Sequence, residues 1–326
     1  MKICLIGAGR IGAVHAIAIA GEATTTLHSV VDLHPEAAEQ LAKKYNAIVL
    51  SLDQAFNNNE IDAFIIASST ATHADLIERC ARAGKPVFCE KPIDLSLDRA
   101  LSCAKVVKES GIVCMIGFNR RFDPHMVSLK NKVDANLIGS VQSLIINSHD
   151  PEPPSMEYIA SSGGLFYDMM IHDFDMACWI LKDTPSNIYV AATATNDDIA
   201  SYGDVDTASV ILTMKKGAIA TIINGRQAAF GYDQRIEVFG QKGMLQVQNA
   251  LEDNVVLSNA NGINQAKAKY FFLERYEKAY HNELVHFMKS VQTGVKPSVD
   301  ILDGVLALKI AEAAKQSFES GNPVNL

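Results

Sequence analysis

The chain has 326 residues, so the prior is one very large domain or two ordinary ones. Its 48% hydrophobic and 20% charged residues are an ordinary globular balance with enough apolar material for two cores. The formal net charge of -8 argues against general affinity for nucleic-acid phosphates, and no stretch approaches the about 20 apolar residues of a membrane span.

The chain opens on an apolar run at 2–6, followed at once by Gly7-Ala8-Gly9-Arg10-Ile11-Gly12 and a helix-compatible stretch at 11–20. Further short apolar runs lie at 29–32, 62–67, 86–89 and 112–116, with helix-like stretches between them at 35–45, 72–83 and 96–109. Near-continuous apolar strands alternating with helices predict a parallel sheet covered on both faces. Punctuation agrees: Gly84 ends one helix before Lys85-Pro86, and Ser96 can cap the next. A domain boundary is expected near 117–124.

The second half reads differently. Alternation at 207–214 places Ala208, Val210, Leu212 and Met214 on one face, Lys216-Gly217 turns the chain, and 218–223 returns. A second pair, 235–239 and 244–248, flanks Gly240-Gln241-Lys242-Gly243. These hairpins predict a largely antiparallel sheet. Helical patterns precede it at 164–181 and follow it at 274–293 and 300–319, and the Pro-rich stretch 150–154 reads as a loop.

The six cysteines, Cys4, Cys80, Cys89, Cys103, Cys114 and Cys178, include no C-x-x-C pair, and several lie in apolar runs. They are expected to be reduced and structural. The opening run is too short for a signal-peptide core, so a cytoplasmic location is the default expectation.

Gly7, Gly9 and Gly12 sit in the context a dinucleotide-binding turn requires, with Arg10 and Ile11 between them. Gly7 allows the tight turn, Gly9 lets the backbone approach a pyrophosphate, and Gly12 lets the helix pack on the strand. The helix N-terminus offers N–H groups to the phosphate charge. Asp32, twenty residues past Gly12, is the expected ribose ligand and repels a 2′-phosphate, which predicts NAD over NADP. The same aspartate also fits a simple turn before His34-Pro35.

Two segments look chemical. Cys89-Glu90-Lys91-Pro92 ends an apolar run, where a lysine points into the ligand crevice of such a sheet. Lys91 there can hold a substrate hydroxyl, or it can be a solvent-exposed turn lysine. The segment 163–173 places Asp168 and His172 four apart, on one face of a helix. Asp168 can orient the imidazole, leaving its other nitrogen to take a proton at an unperturbed pKa of about 6.5. A structural His–Asp pair fits the same pattern. Asp173 and Asp175 read as a solvated acidic face or as capping partners. A metal at His172 is disfavoured because no second histidine follows at helical spacing.

The GAGRIG turn, the SSTATHADLI, CEKP and GFNRRFDP segments and the DMMIHDFD helix resemble the Gfo/Idh/MocA family of NAD(P)-dependent oxidoreductases along nearly the whole chain. The resemblance implies a doubly wound Rossmann domain (1–118) that binds NAD. An α/β domain (119–326) with an open, mostly antiparallel sheet would follow, for substrate binding and oligomerisation, its last helix free to pack back on the first domain. It also implies a homo-oligomer, dimer or tetramer.

Within the family the chain is most similar to inositol dehydrogenases, which implies NAD-dependent oxidation of myo-inositol at C2. Lys91, Asp168 and His172 fall on the family's catalytic positions. Asn119, Arg120, Asp150 and Tyr232 fall where the polyol is contacted, although some inositol dehydrogenases carry an apolar residue at the position of Asn119. Ser68, Thr70, His73, Glu90, Lys91 and Arg120 would lie along the cofactor. No metal is implied. Oxidation of scyllo-inositol or of an aldose at C1, and a dinucleotide-binding regulator without turnover, are the other readings. Intact Lys91, Asp168 and His172 count against the regulator.

Overall fold

A computed structural model describes residues 1–326, which form two compact units. The first unit comprises Met1–Phe122 and Lys278–Lys309, the second Asp123–Glu277 and Ile310–Leu326.

In the first unit the apolar runs are strands β1 (Lys2–Ile6), β2 (Thr26–Val31), β3 (Ile48–Val49), β4 (Ala63–Ile66), β5 (Val87–Glu90) and β6 (Cys114–Gly117). All pair in parallel, in the order β3-β2-β1-β4-β5-β6. This is the doubly wound order, with its switch point between β1 and β4. Helices α1 (Arg10–Ala20), α2 (Pro35–Tyr45), α3 (Leu52–Phe56), α4 (His73–Arg82) and α5 (Leu97–Ser110) form the crossovers. Ile3, Cys4 and Leu5 are fully buried, as are Phe64 and Ile65, which is why these strands show no alternation in the sequence. Pro35 opens α2, and Ser96 caps α5 by accepting a hydrogen bond from the Arg99 N–H. Strand β3 was not anticipated. It has two residues, both exposed, and so carries no burial signature.

The second unit holds a seven-stranded sheet of β7 (Val141–His149), β8 (Pro185–Thr193), β9 (Thr207–Met214), β10 (Ile219–Gly225), β11 (Asp233–Gly240), β12 (Gly243–Val247) and β15 (Val324–Asn325). Its order is β12-β11-β7-β10-β9-β8-β15. Every pairing is antiparallel except β7 with β10. A separate hairpin, β13 (Val256–Asn259) and β14 (Gly262–Gln265), is exposed throughout. The helices are α6 (Pro124–Asp134), α7 (Met156–Ser162), α8 (Leu165–Asp168), α9 (Met170–Leu181), α10 (Asp197–Ser201) and α11 (Phe272–Arg275). Asp123 caps α6 and pairs with the buried Arg275. One sheet face buries Ala208, Val210, Leu212, Ala220 and Ile222. The other leaves Tyr189, Ile211, Ile219 and Phe239 exposed.

The expected single helix at 164–181 is a correction. The chain forms α8 and α9, separated at Met169. No glycine or proline marks the break, and the apolar period runs through it. Asp204 accepts a hydrogen bond from the Leu165 N–H at 3.0 Å, and Asp168 is held from outside the helix, so tertiary contacts decide the break.

Helix α12 (Glu277–Thr293) buries Tyr280, Leu284, Phe287 and Met288, and Phe287 meets Phe88 of β5 edge-on at 6.0 Å. The last helix is α13 (Ile301–Ser320).

Candidate active site

The carboxyl ends of the parallel strands carry the first group of site residues. Gly7 follows β1 with φ +104, and a Cβ there would lie 2.5 Å from the Ala67 backbone. A Cβ on Gly12 would lie 2.0 Å from the Gly7 carbonyl oxygen, so helix and turn touch without room for a methyl group. Gly9 differs: a Cβ there meets nothing within 4 Å. It is the N-cap of α1, and no side chain caps that end. The turn therefore presents an open backbone surface at a helix N-terminus, where Arg10 and Ile11 begin the first turn. Asp32 follows β2. Its Oδ2 accepts a hydrogen bond from the Ala8 N–H at 2.6 Å and its Oδ1 from the His34 N–H at 2.8 Å. These bonds fix the carboxylate beside the glycine turn. The shape and donor set fit a dinucleotide: an open cradle for the pyrophosphate and an anchored acceptor for a ribose hydroxyl.

Ser68 and Thr70 follow β4, and the Ser68 hydroxyl lies 2.7 Å from that of Thr72. His73 is buried. Its Nδ1 lies 2.7 Å from the Pro92 carbonyl oxygen and its Nε2 3.0 Å from that of Ser68. It thus ties the loop after β4 to the turn after β5 from beneath. Burial holds its imidazole below the usual pKa, against the two carbonyl contacts and the nearby Glu90. Glu90 ends β5, and its Oε1 lies 2.7 Å from Nε2 of His15 on α1. Lys91 comes next and is half-buried. Asn119 and Arg120, just past β6, are both buried. The neighbouring Arg121 donates to Ser298 and Asp303.

The second group lies in the second unit. Asp168 ends α8, and His172 lies in the first turn of α9. The Tyr158 hydroxyl donates to Asp168 Oδ1 at 2.8 Å. Arg226, 1% exposed, brings Nη1 within 3.6 Å of Asp168 Oδ2 and Nη2 within 3.5 Å of Asp204 Oδ2. Asp173, the residue after His172, is a second correction. It is neither a solvated face nor a cap but fully buried, and Asp175 is buried as well. Asp173 accepts hydrogen bonds from Ser148 Oγ of β7 at 2.8 Å and Asn224 Nδ2 of β10 at 3.0 Å. Ser148 also lies 2.7 Å from Gln234 of β11. The helix bearing His172 is therefore stitched to two adjacent strands, β7 and β10, which fixes the imidazole's carrier.

Asp150 and Tyr232 sit beside another polar knot. The Asp150 N–H bonds the Gly225 carbonyl at 3.0 Å, and the Tyr232 ring meets Tyr276 edge-on at 5.9 Å. Their neighbours His149 and Asp233 are cross-strand partners, 3.1 Å apart from Nδ1 to Oδ2. Arg235 and Asn249 also bond Asp233. Burial raises the Asp233 pKa, but bonds from Arg235, His149 and Asn249 outweigh it and hold the carboxyl well below the usual range.

Two family models match this chain: an oxidoreductase family NAD-binding Rossmann fold over residues 1–118, and a GFO/IDH/MocA C-terminal domain over residues 126–246. The chain belongs to the Gfo/Idh/MocA oxidoreductase family. Its cofactor is NAD, and its relatives include inositol dehydrogenases. It is 43% identical to an inositol 2-dehydrogenase of Rhizobium meliloti (strain 1021), covering 100% of this chain and 99% of that one. It is 40% identical to a myo-inositol 2-dehydrogenase of Thermotoga maritima, covering 100% and 98%. A scyllo-inositol dehydrogenase from Lactobacillus casei, solved with NAD(H) and scyllo-inositol bound, superposes with a TM-score of 0.92 at 28% identity, covering 100% and 98%.

Sequence reasoning on this Gfo/Idh/MocA chain missed Tyr158, Arg226, Asp204 and the Ser148–Asp173–Asn224 knot. A signal existed for part of the knot and for Gln234 beside it. Asn224 and Gln234 stand at inward positions of strands whose other inward residues are apolar, and a polar residue there marks a buried network. Nothing local marked Tyr158, whose partner lies ten residues on, across a helix and a turn.

Proposed function

We propose that this protein oxidises myo-inositol at C2 to the 2-keto inositol with NAD, and that His172 takes the proton of the C2 hydroxyl. The observation that carries the reading is the fixed Asp168–His172 segment. One of its residues, Asp168, is gripped by Tyr158 and Arg226, and the residue after His172, Asp173, is bolted to the sheet by Ser148 and Asn224. A general base needs this restraint, because its proton transfer depends on reach of about 3 Å. Full-length similarity to inositol 2-dehydrogenases at 40–43% identity supports the substrate class.

NAD, when bound, supplies the acceptor for the hydride that leaves the substrate carbon. Gly7, Gly9, Arg10, Ile11 and Gly12 would hold its pyrophosphate and Asp32 its ribose, with Ser68, Thr70, Glu90 and Arg120 along it. His73 secures the loops that carry Ser68 and Lys91. Asp168 orients His172 and stabilises its protonated form. Lys91 steadies the substrate oxygen as charge develops on it. Asn119, Arg120, Asp150 and Tyr232 offer donors and acceptors to the other hydroxyls. An unpaired buried hydroxyl costs about 1–3 kcal/mol, so a polyol site must be polar throughout. The exposed apolar row Tyr189, Ile211, Ile219 and Phe239 supports a homo-oligomer built on the open sheet.

The test is NADH formation across inositol isomers and aldoses, with NAD and NADP in parallel. The expected result is the highest kcat/KM with myo-inositol and NAD. Preference for scyllo-inositol, the ligand seen in the Lactobacillus casei structure, would move the substrate to that isomer and leave the class intact. Preference for an aldose would overturn the inositol assignment. Cofactor binding without turnover of any polyol would favour the regulator.

A further inference from the structure

Helix α12 carries a buried carboxyl group that the mechanism above does not use, in a small cluster with Glu90 and His15. Glu283, on α12, is 0% exposed, and no protein group hydrogen-bonds either of its carboxyl oxygens. Its own helix face packs on the end of β5. Tyr280, one turn before it, meets the His15 ring edge-on at 5.9 Å, and Phe287, one turn after it, meets Phe88. Phe88 closes the other side of His15 at 5.0 Å. Glu90 lies near enough for its charge to act on Glu283. Its Oε1 bonds His15, and its Oε2 presses on β6 where a Cβ at Gly117 would come within 2.9 Å. The register pairs Glu90 with Gly117, so that glycine makes room for the carboxylate.

We propose that Glu283 is a positioning residue for the Glu90–Lys91 turn, carried in the folded protein as an uncharged carboxylic acid, so that the cluster's negative charge rests on Glu90 alone. A buried carboxylate without donors is strongly disfavoured and takes up a proton instead. Two carboxylates sharing one low-dielectric site do not both ionise. Of the two, Glu90 has the partner, His15, and Glu283 has none. Burial, and then the charge of Glu90, push the Glu283 carboxyl well above its ordinary range.

The groups around the cluster are His15 from α1, Glu90 at the end of β5 with Lys91 next in the chain, and Tyr280 from α12. His73 lies close enough to feel the charges of both Glu90 and Lys91. A second negative charge on Glu283 would repel Glu90 and loosen its bond to His15. That bond joins the strand end bearing Lys91 to the helix that follows the glycine turn. The placement of Lys91 in the active site rests on the proposed function; the ionisation state of Glu283 does not.

The sign of the linkage gives the test. A carboxyl whose folded pKa is raised stays protonated in the fold, while the unfolded chain sheds that proton above about pH 4.3. Wild-type stability then falls with rising pH, by up to about tenfold in the folding equilibrium per pH unit, until the folded group also ionises. E283Q keeps the shape and removes the proton. Its unfolding should match wild type near pH 4 and become progressively more stable than wild type towards pH 8. NADH affinity of the wild type should fall at the alkaline end, and that of E283Q should not. A Glu283 that is charged and structural predicts the opposite: E283Q less stable at every pH, with the alkaline fall retained, and that result overturns the proposal. Should E283Q not fold, the wild type itself decides. An infrared carbonyl band of a protonated carboxylic acid at neutral pH supports the proposal, and its absence overturns it. None of these readouts needs a polyol, so failure of the inositol reading leaves them unaffected.

Discussion

The glycine turn of the first unit and the Asp168–His172 region of the second are both candidate sites, and they are made of opposite materials. The turn is built by removing side chains. Gly12 touches the Gly7 carbonyl, Gly9 stays open, and one carboxylate, Asp32, is pinned by two backbone N–H groups. The other region is built by adding side chains from distant places. Tyr158, Arg226 and Asp204 converge on α8, and Ser148 and Asn224 converge on Asp173. The difference teaches where each site is vulnerable. A backbone site fails when an atom is added to it. A side-chain site fails when one is removed, and the failure spreads to whichever partner is left buried and unmatched.

The largest expected effect is on the chemistry of the second region. His172→Ala should lower kcat by about 10²–10⁴-fold while NAD affinity stays near wild type. Near-full kcat would remove His172 from the base role. Next comes Arg226→Leu, which leaves Asp168 and Asp204 without their buried partner. It should cost about 3 kcal/mol of stability, read by urea denaturation, together with a loss of kcat. An unchanged midpoint would show that the arginine contributes little to either carboxylate.

Gly12→Ala forces a methyl group against a carbonyl oxygen. It should cost about 1–3 kcal/mol and weaken NAD binding, measured by fluorescence titration, while the proposed polyol residues of the second unit are untouched. Normal NAD affinity in this variant would break the contrast between the two regions. The smallest effect is expected for Tyr158→Phe, which removes one hydrogen bond to Asp168. A loss of about 1 kcal/mol, seen as a severalfold drop in kcat with the NAD KM unchanged, would place Tyr158 behind the base.

The same contrast explains what could be read from the chain. The turn was legible because its parts lie within a few residues of each other and glycine has few other reasons to recur at that spacing. Strands buried on both faces were legible as apolar runs, and the hairpins as alternation. Strand β3 was not, because two exposed residues carry no pattern. The break at Met169 was not, because it is imposed by Asp204 and by the grip on Asp168 rather than by a local breaker. The candidate orienting carboxylate and base, Asp168 and His172, stood four apart and could be paired on paper. Their supports could not, since Arg226 lies fifty-eight residues past Asp168 and Glu283 almost two hundred residues past Glu90. Asp173 looked like one more surface acid until its two donors were seen.

The proposed reaction is transfer of hydride from C2 of an inositol to NAD. The most direct measurement uses myo-inositol carrying deuterium at C2 and follows the label by NMR of the reduced cofactor. Deuterium at the nicotinamide C4 and a slowed reaction are the expected result. Reduced cofactor formed without the label would contradict it, because the hydride would then come from a carbon other than C2.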